Sequence, residues 1–322
     1  MLKYKNLNNI IFKLLKLLVI LLFLLYLIYK TDFIIVKQLL LQVDIFWFCL
    51  SFIILISRNY LLAFRWKILL AFHNFHFSSF VLAKYYIISI FFSLFLPSIV
   101  GGDAIRWYYL HDHGVKHNKV LSSILYERFV GIISLAFFAS FNLFMDFEIV
   151  ESDIVKITII IILFLCCALF VIFLNFYKLS KWIWTTDTLS RFKSTVKFVE
   201  NLKDYSQNMR VVIYCLILSL ITQLMGILAV YFISLSLNSS INFFYFITFL
   251  PIVWLISMIP ISIGGLGLRE GAFILLFTSI GMSKEMAIAI SALILLQMIV
   301  HGMLGGLIFL LSPILGGINS SP

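Results

Sequence analysis

Apolar residues fill long, nearly unbroken runs along this chain, and polar positions gather in short stretches between them. Runs near residues 11–29, 43–64, 120–143, 155–177, 211–233, 241–260 and 286–312 are each long enough for a helix to cross a hydrocarbon core. Shorter apolar runs lead from Tyr85 to Leu96 and from Arg269 to Ile280. The pattern predicts an all-α polytopic membrane protein, with about eight membrane-associated helices plus re-entrant or broken segments. It reads as one integral membrane domain over residues 1–322, since no polar stretch has the makings of a second core.

Two apolar runs end on unusual elements. One is Pro97-Ser98-Ile99-Val100-Gly101-Gly102-Asp103-Ala104-Ile105-Arg106. The other is Pro260-Ile261-Ser262-Ile263-Gly264-Gly265-Leu266-Gly267-Leu268-Arg269. Their prolines, paired glycines and arginines align without a gap at an offset of 163 residues. Proline lacks an N–H and crowds the preceding turn, so a plain helix stops there. Paired glycines permit left-handed or closely packed backbone, and Asp103 is placed to cap a new helix. Corresponding breaks in two halves of a membrane chain point to a binding site at their junction.

Charge placement predicts the topology. The leader carries Lys3, Lys5, Lys13 and Lys16, the loop at 146–153 carries four acids and no Lys or Arg, and residues 178–210 are basic. The N-terminus and the 178–210 segment are therefore expected inside and the acidic loop outside. The leader resembles a signal peptide, but its apolar run is long and no small-residue cleavage site follows, so it reads as a retained span. Leu189, Phe192, Val196, Val199 and Leu202 recur at helical spacing, which makes 178–210 a cytoplasmic amphipathic segment. Residues 79–112 have basic flanks and read as a re-entrant hairpin. The first Pro-Gly-Gly element is then reached from inside and the second from outside, as in an inverted repeat. Residues 313–322 form a flexible tail.

Composition supports the membrane reading. The chain is 63% hydrophobic and only 12% charged, where soluble domains have about 25% charged residues. The net charge of +10 sits mostly in short loops, where topology and anionic headgroups account for it, so nucleic acid is not an expected partner. Cys49, Cys166, Cys167 and Cys215 lie in apolar segments without metal-ligand spacing. His111, His113 and His117 read as ordinary interfacial loop histidines. No metal and no cofactor is expected.

Polar groups inside the spans are the candidate chemistry. Arg65 and Lys67, near the end of the second run, read as snorkelling to the headgroups among interfacial aromatics, whereas Arg58 lies deeper and is the better functional cation. Lys84 either snorkels or faces a cavity. Glu127 and Arg128 lie near the start of a span, where either can pair with Asp103, Arg106 or Lys84. Gln223, Gln297 and His301 also fall inside apolar runs but stand outside the charged candidate set. Arg58, Lys84, Arg106, Arg128 and Arg269 outnumber Asp103, Glu127 and Glu270, and helix N-termini after each break add positive ends. Arginine forks suit phosphate. This favours recognition or translocation of a phospholipid or polyprenyl-phosphate headgroup. Two other classes stay open. A membrane transferase would use Asp103, Glu127 or Glu270, although no clustered acidic motif, nucleophile elbow or nucleotide loop is present. A non-enzymatic scaffold would assist glycan or envelope assembly proteins.

The pattern Leu96-Pro97, Gly101-Gly102-Asp103, Arg106, Glu127-Arg128, Gly131, Pro260, Ser262, Gly264-Gly265-Leu266-Gly267 and Arg269-Glu270 resembles the transmembrane, flippase-like region of lysylphosphatidylglycerol synthases. It resembles equally the stand-alone proteins of that family, and the likeness spans almost the whole chain. In the two-part synthases the membrane region looks like the lipid-translocating portion, while a separate soluble domain transfers an aminoacyl group. This chain stops after its last span and has no room for such a domain, so no lysyltransferase activity is expected. The resemblance implies a headgroup-binding or gating core of Pro97, Gly101, Gly102, Asp103, Arg106, Glu127, Arg128, Gly264, Gly265, Arg269 and Glu270. Arg58, Lys84 and Pro260 join it from the reading of the residues. The resemblance also implies a multi-pass protein of a prokaryotic inner (cytoplasmic) membrane.

Overall fold

The computed structural model describes residues 33–95, 100–140, 201–202, 204–258 and 267–311, with isolated positions between 153 and 168. The expected first span at 11–29, the acidic loop up to residue 152, most of 155–177 and of the 178–210 segment, and the 313–322 tail lie outside the described residues.

The described chain is all helical: α1 Phe33–Leu41, α2 Ile45–Phe72, α3 Ser79–Phe95, α4 Val100–Asp112, α5 His117–Ala139, α6 Met209–Ser236, α7 Phe243–Ser257, α8 Leu268–Thr278 and α9 Lys284–Leu311. Caps set several starts. The Asp44, Asn208 and Asn242 side chains accept from the N–H groups of Phe46, Val211 and Phe244, which satisfies donors that a helix start leaves orphaned. Among the described residues, α2, α5, α6 and α9 are long and apolar enough to cross a membrane. Helix α2 continues to Phe72 rather than ending near residue 64, and so carries Arg65 and Lys67 within its helical length.

The remaining long apolar segments fold back on themselves. Helices α3 and α4 are antiparallel: Phe77 meets His113 at 6.1 Å, Tyr85 stacks on Tyr109 at 4.5 Å, and Gly102 lies against Ser89 and Ser93. Both flanks of this hairpin therefore lie at one end of the bundle. The end of α2 is there too, since His73 packs on Tyr205 at 4.9 Å just before α6 begins. Helices α7 and α8 form a second hairpin, with Phe246 against Phe277 at 4.8 Å and Phe249 against Phe277 at 5.7 Å. It opens at the other end, where the Asp44 N–H donates to the Ser236 carbonyl at 2.8 Å and Tyr231 meets Phe243 at 5.0 Å. The tips at residues 96–99 and 259–266, which hold Pro97, Pro260, Gly264 and Gly265, lie outside the described residues.

Both hairpins reach the middle of α9. A methyl group added at Gly302 would meet Leu94 of α3, and one at Gly305 would collide with the Ile87 carbonyl oxygen. From the other hairpin, Arg269 of α8 reaches the Met298 sulfur at 3.4 Å. Small residues on α9 thus allow close helix approach, as membrane packing requires without a hydrophobic driving force between helices. Two buried clusters flank this junction. One joins Phe246, Phe249, Phe273 and Phe277 with α6 and α9, and the other gathers Trp66, Leu82, Ile88 and Leu110 from α2, α3 and α4.

The first Pro-Gly-Gly element differs from its expected geometry. Gly101 and Gly102 lie inside α4, not before it, and Asp103 stands in the first turn without capping it. The reason is packing: a methyl group at Gly102 would sit 2.8 Å from the Ser89 carbonyl oxygen, so the glycine lets α4 lie directly on α3. At the second element, Gly267 adopts φ 84° and Leu268 opens α8. The two elements share residues but start their helices at different registers.

Candidate functional site

The predicted charged set separates into two groups. The first is a closed ion network between α2, α3, α4, α5 and α6. Glu127 is its centre and is 3% exposed. Its Oε1 accepts from Arg65 Nη2 at 3.0 Å and Nε at 3.3 Å, and from the Tyr86 hydroxyl. Its Oε2 accepts from Arg106 Nη2 at 2.5 Å. The Arg106 guanidinium lies between the Trp66 and Tyr86 rings, 4.1 and 4.0 Å from their centroids, which adds cation–π attraction in a water-poor site. Arg65 also donates from Nη1 to Ser219 at 2.5 Å, and Trp66 to Ser123 at 3.0 Å. Next to it, Asp103 accepts from Arg128 Nε at 2.6 Å and pairs more loosely with Arg106 Nη1 at 3.4 Å.

This geometry corrects the reading of Arg65. It does not snorkel to the headgroups; it is 5% exposed and supplies a second arginine to Glu127. Burial makes pairing obligatory, because one unpaired charge in such a place is very costly. It also corrects the expectation of Asp103 as a cap, since its carboxylate serves Arg128 and Arg106. Glu127 and Arg128 are sequence neighbours yet serve different partners, as the angle between adjacent helical side chains dictates. Both carboxylates are engaged by arginines, while Arg106 Nε stays a buried donor with no partner among the described residues. The network ties helices together and offers little to a phosphate. Lys84 is half-buried and forms no ion pair among the described residues.

The second group lines a cavity of about 440 Å³ at half the depth of the bundle. Its wall comes from the middles of α2, α6 and α9, from α3 and α5, and from Trp254, Met258 and Arg269 at the facing ends of α7 and α8. Arg58 and Arg269 are its cations; Asn59, Gln223, Gln297 and His301 are its other polar groups; Leu55, Ile90, Trp254 and Met298 are among the apolar ones. Arg58 donates from Nε to the Thr222 carbonyl at 2.9 Å, and no described acid pairs with it. Gly226 leaves the room it needs: a methyl group there would lie 3.0 Å from Trp254 and 3.4 Å from Arg58 Nε. Arg269 is held by Glu270 at 2.5 Å, while the other Glu270 oxygen accepts from the Gly267 N–H at 2.6 Å and closes the first turn of α8.

Arg58 and Arg65 lie on one face of α2 two turns apart, about 10 Å along its axis. The ion network thus sits between the cavity and the end of the bundle that carries His73. Of the charged candidates, the cavity brings together Arg58 and Arg269; the network brings together Asp103, Arg106, Glu127 and Arg128. Asn59, Gln223, Gln297 and His301 were not read as site residues. Their signal was polarity inside otherwise apolar runs.

The fold and the cavity define a multi-pass helical membrane protein with an arginine-bearing chamber at half depth. The family model described as the lysylphosphatidylglycerol synthase TM region matches residues 13–306, and the chain belongs to that family. No curated protein and no solved structure matches the chain. Membership is consistent with a lipid-related function in the membrane.

Proposed function

We propose that the half-depth cavity binds the anionic headgroup of a membrane lipid and that the protein moves this lipid between leaflets. The observation that carries the reading is Arg58, a cation inside a membrane helix that faces a cavity and has no acidic partner among the described residues. Ionisable groups at such depth normally pair or face a substrate path. A phosphate completes the guanidinium fork with charge-assisted hydrogen bonds, and the largely apolar wall suits the adjoining acyl or prenyl chains. The two hairpins enter from opposite ends and meet at the cavity, so they serve as opposed gates in an inverted-repeat transporter.

The test is lipid retention followed by transport. Native mass spectrometry of the purified protein should show a bound anionic phospholipid or polyprenyl phosphate. Arg58→Ala should weaken retention by about 10- to 100-fold, the loss of a charge-assisted hydrogen-bond pair. In proteoliposomes the same change should slow the movement of a fluorescent anionic lipid. Unchanged retention in Arg58→Ala overturns the site. Retention without movement of any such lipid overturns transport.

A further inference from the structure

We infer that His301 takes up a proton when an anion enters the cavity, so that movement of the anionic lipid is coupled to movement of a proton. This rests on the anionic-lipid reading above and adds its energy source.

The His301 ring lines the cavity in one defined form. Asn59 Nδ2 and His301 Nε2 meet at 2.7 Å. The amide nitrogen is a donor only, so Nε2 accepts, and the imidazole is neutral with its proton on Nδ1. A proton arriving at Nε2 would face that N–H. Turning the Asn59 amide over presents its carbonyl oxygen instead, in a side chain of unchanged shape. The pair therefore accommodates either protonation state of His301 without repacking the helices. Gln297, one turn earlier on α9, lacks this freedom. Its Oε1 accepts from Ser51 at 3.1 Å, and its Nε2 donates to the Phe48 carbonyl at 3.1 Å.

The charges around the ring decide when the proton is taken. Helix α2 contributes Arg58 to the wall, and α8 contributes Arg269, whose charge Glu270 already answers at 2.5 Å. The wall residues from α3, α5, α6 and α7, such as Ile90, Leu135, Gln223 and Trp254, carry no charge. Lys37, the charged residue of α1, is exposed and outside the wall. Helix α9 holds no acid or base other than His301 after Glu285. In an empty cavity, a proton on His301 adds a cation beside Arg58 at low dielectric, where like charges repel strongly. A phosphodiester on Arg58 reverses the balance, because its negative charge attracts both. Anion and proton then strengthen each other's binding by the same factor. The proton comes from water on the loading side, joins the Nε2 lone pair, and returns to water when the headgroup leaves. Anion and proton together are a load without net charge, which does no work against the membrane potential.

Phosphatidylmethanol is a suitable probe, because its phosphate keeps one negative charge across the histidine range, about pH 5.5 to 7.5. The full chain, purified in detergent, is loaded at both ends of that range and read by native mass spectrometry. Wild type should retain the lipid at least about fivefold better at the lower pH, the low end of coupling between sites. His301→Gln keeps a hydrogen-bonding side chain that takes no charge, and should retain the lipid equally at both. A second measurement needs no variant. Phosphatidylmethanol added to wild type in weak buffer near about pH 6.5 should make the solution more alkaline as protons are taken up. If wild type shows neither effect while Arg58→Ala lowers retention, the proton inference fails and the anionic-lipid reading stands. If Arg58→Ala lowers retention at neither pH, both fail. The same pH response in His301→Gln as in wild type assigns the proton to another group and overturns the inference.

Discussion

At the scale of residues, Glu127 and Lys84 make opposite predictions. Glu127 holds Arg65, Arg106 and the Tyr86 hydroxyl at once, and all four side chains are within the bundle. Removing the carboxylate in Glu127→Ala leaves two buried guanidinium groups without their counter-charge. The expected loss is about 3–5 kcal/mol, the usual cost of breaking a buried pair by deleting one partner. Thermal unfolding of the purified protein should show a large drop in midpoint. Lys84→Met breaks no ion pair and should stay within about 0.5 kcal/mol of the parent; a loss equal to that of Glu127→Ala would refute this division of the charged set. Sequence alone distinguished Arg58, because it stands deep in an apolar run. It misread Arg65, because a basic residue near the end of such a run looks the same whether it snorkels or pairs. Its partner lies 62 positions away, and nothing local encodes that distance.

At the scale of elements, most helices were legible as apolar runs, and the α3–α4 hairpin followed from the basic residues on both flanks. The register of α4 was not. Glycines in a membrane chain serve as breaks or as points of close approach, and only the presence of Ser89 opposite Gly102 decides between them. Gly305 on α9 makes the same point testable. A methyl group there would collide with the backbone of α3, not with a flexible side chain. Gly305→Ala should lower the unfolding midpoint clearly, by overpacking worth about 1–3 kcal/mol. Gly114 has open space around it, but its φ of 79° makes Gly114→Ala a strain at a loop instead.

The junction of α2 with the segment before α6 carries a pH dependence. His73 stands just past α2, its ring packed on Tyr205, its Nε2 buried without a partner. Burial, with the positive charge of Lys119 adding to it, holds its imidazole below the ordinary histidine value; Asp204 acts weakly in the other direction. The folded junction therefore keeps His73 neutral where an unfolded one takes a proton. Its contribution is complete above about pH 6.5 and shrinks as pH falls below that value. Hydrogen exchange at residues 204–207 should speed up between pH 7.5 and 5.5 (about the histidine range) relative to α9, and His73→Phe should flatten the difference. Equal pH response in His73→Phe and the parent would show that another group is responsible.

At the scale of the whole molecule, two hairpins enter from opposite ends and meet beside the middle of α9. This arrangement was legible only as an offset between two ten-residue elements and a set of loop charges, since antiparallel contact within each hairpin is a property of packing. One end of the bundle carries His76, Asp112, Lys116, Lys119, Asp204 and Arg210; the other carries Lys37, Asp44 and the Lys284–Glu285 pair. The positive-inside rule predicts that the more basic end faces the cytoplasm. Single cysteines introduced by Lys116→Cys, Ser240→Cys and Ser283→Cys, with the native cysteines replaced, test both ideas together. These positions are exposed and flank the hairpins at the two ends. A membrane-impermeant maleimide applied to intact cells should label positions 240 and 283 and spare 116, while inverted vesicles should reverse the result. Labelling of 116 and 240 from the same side would mean that the α3–α4 hairpin does not return to the end where α2 finishes. The gates would then open to one compartment, and alternating access around Arg58 would fail even if the cavity still bound lipid.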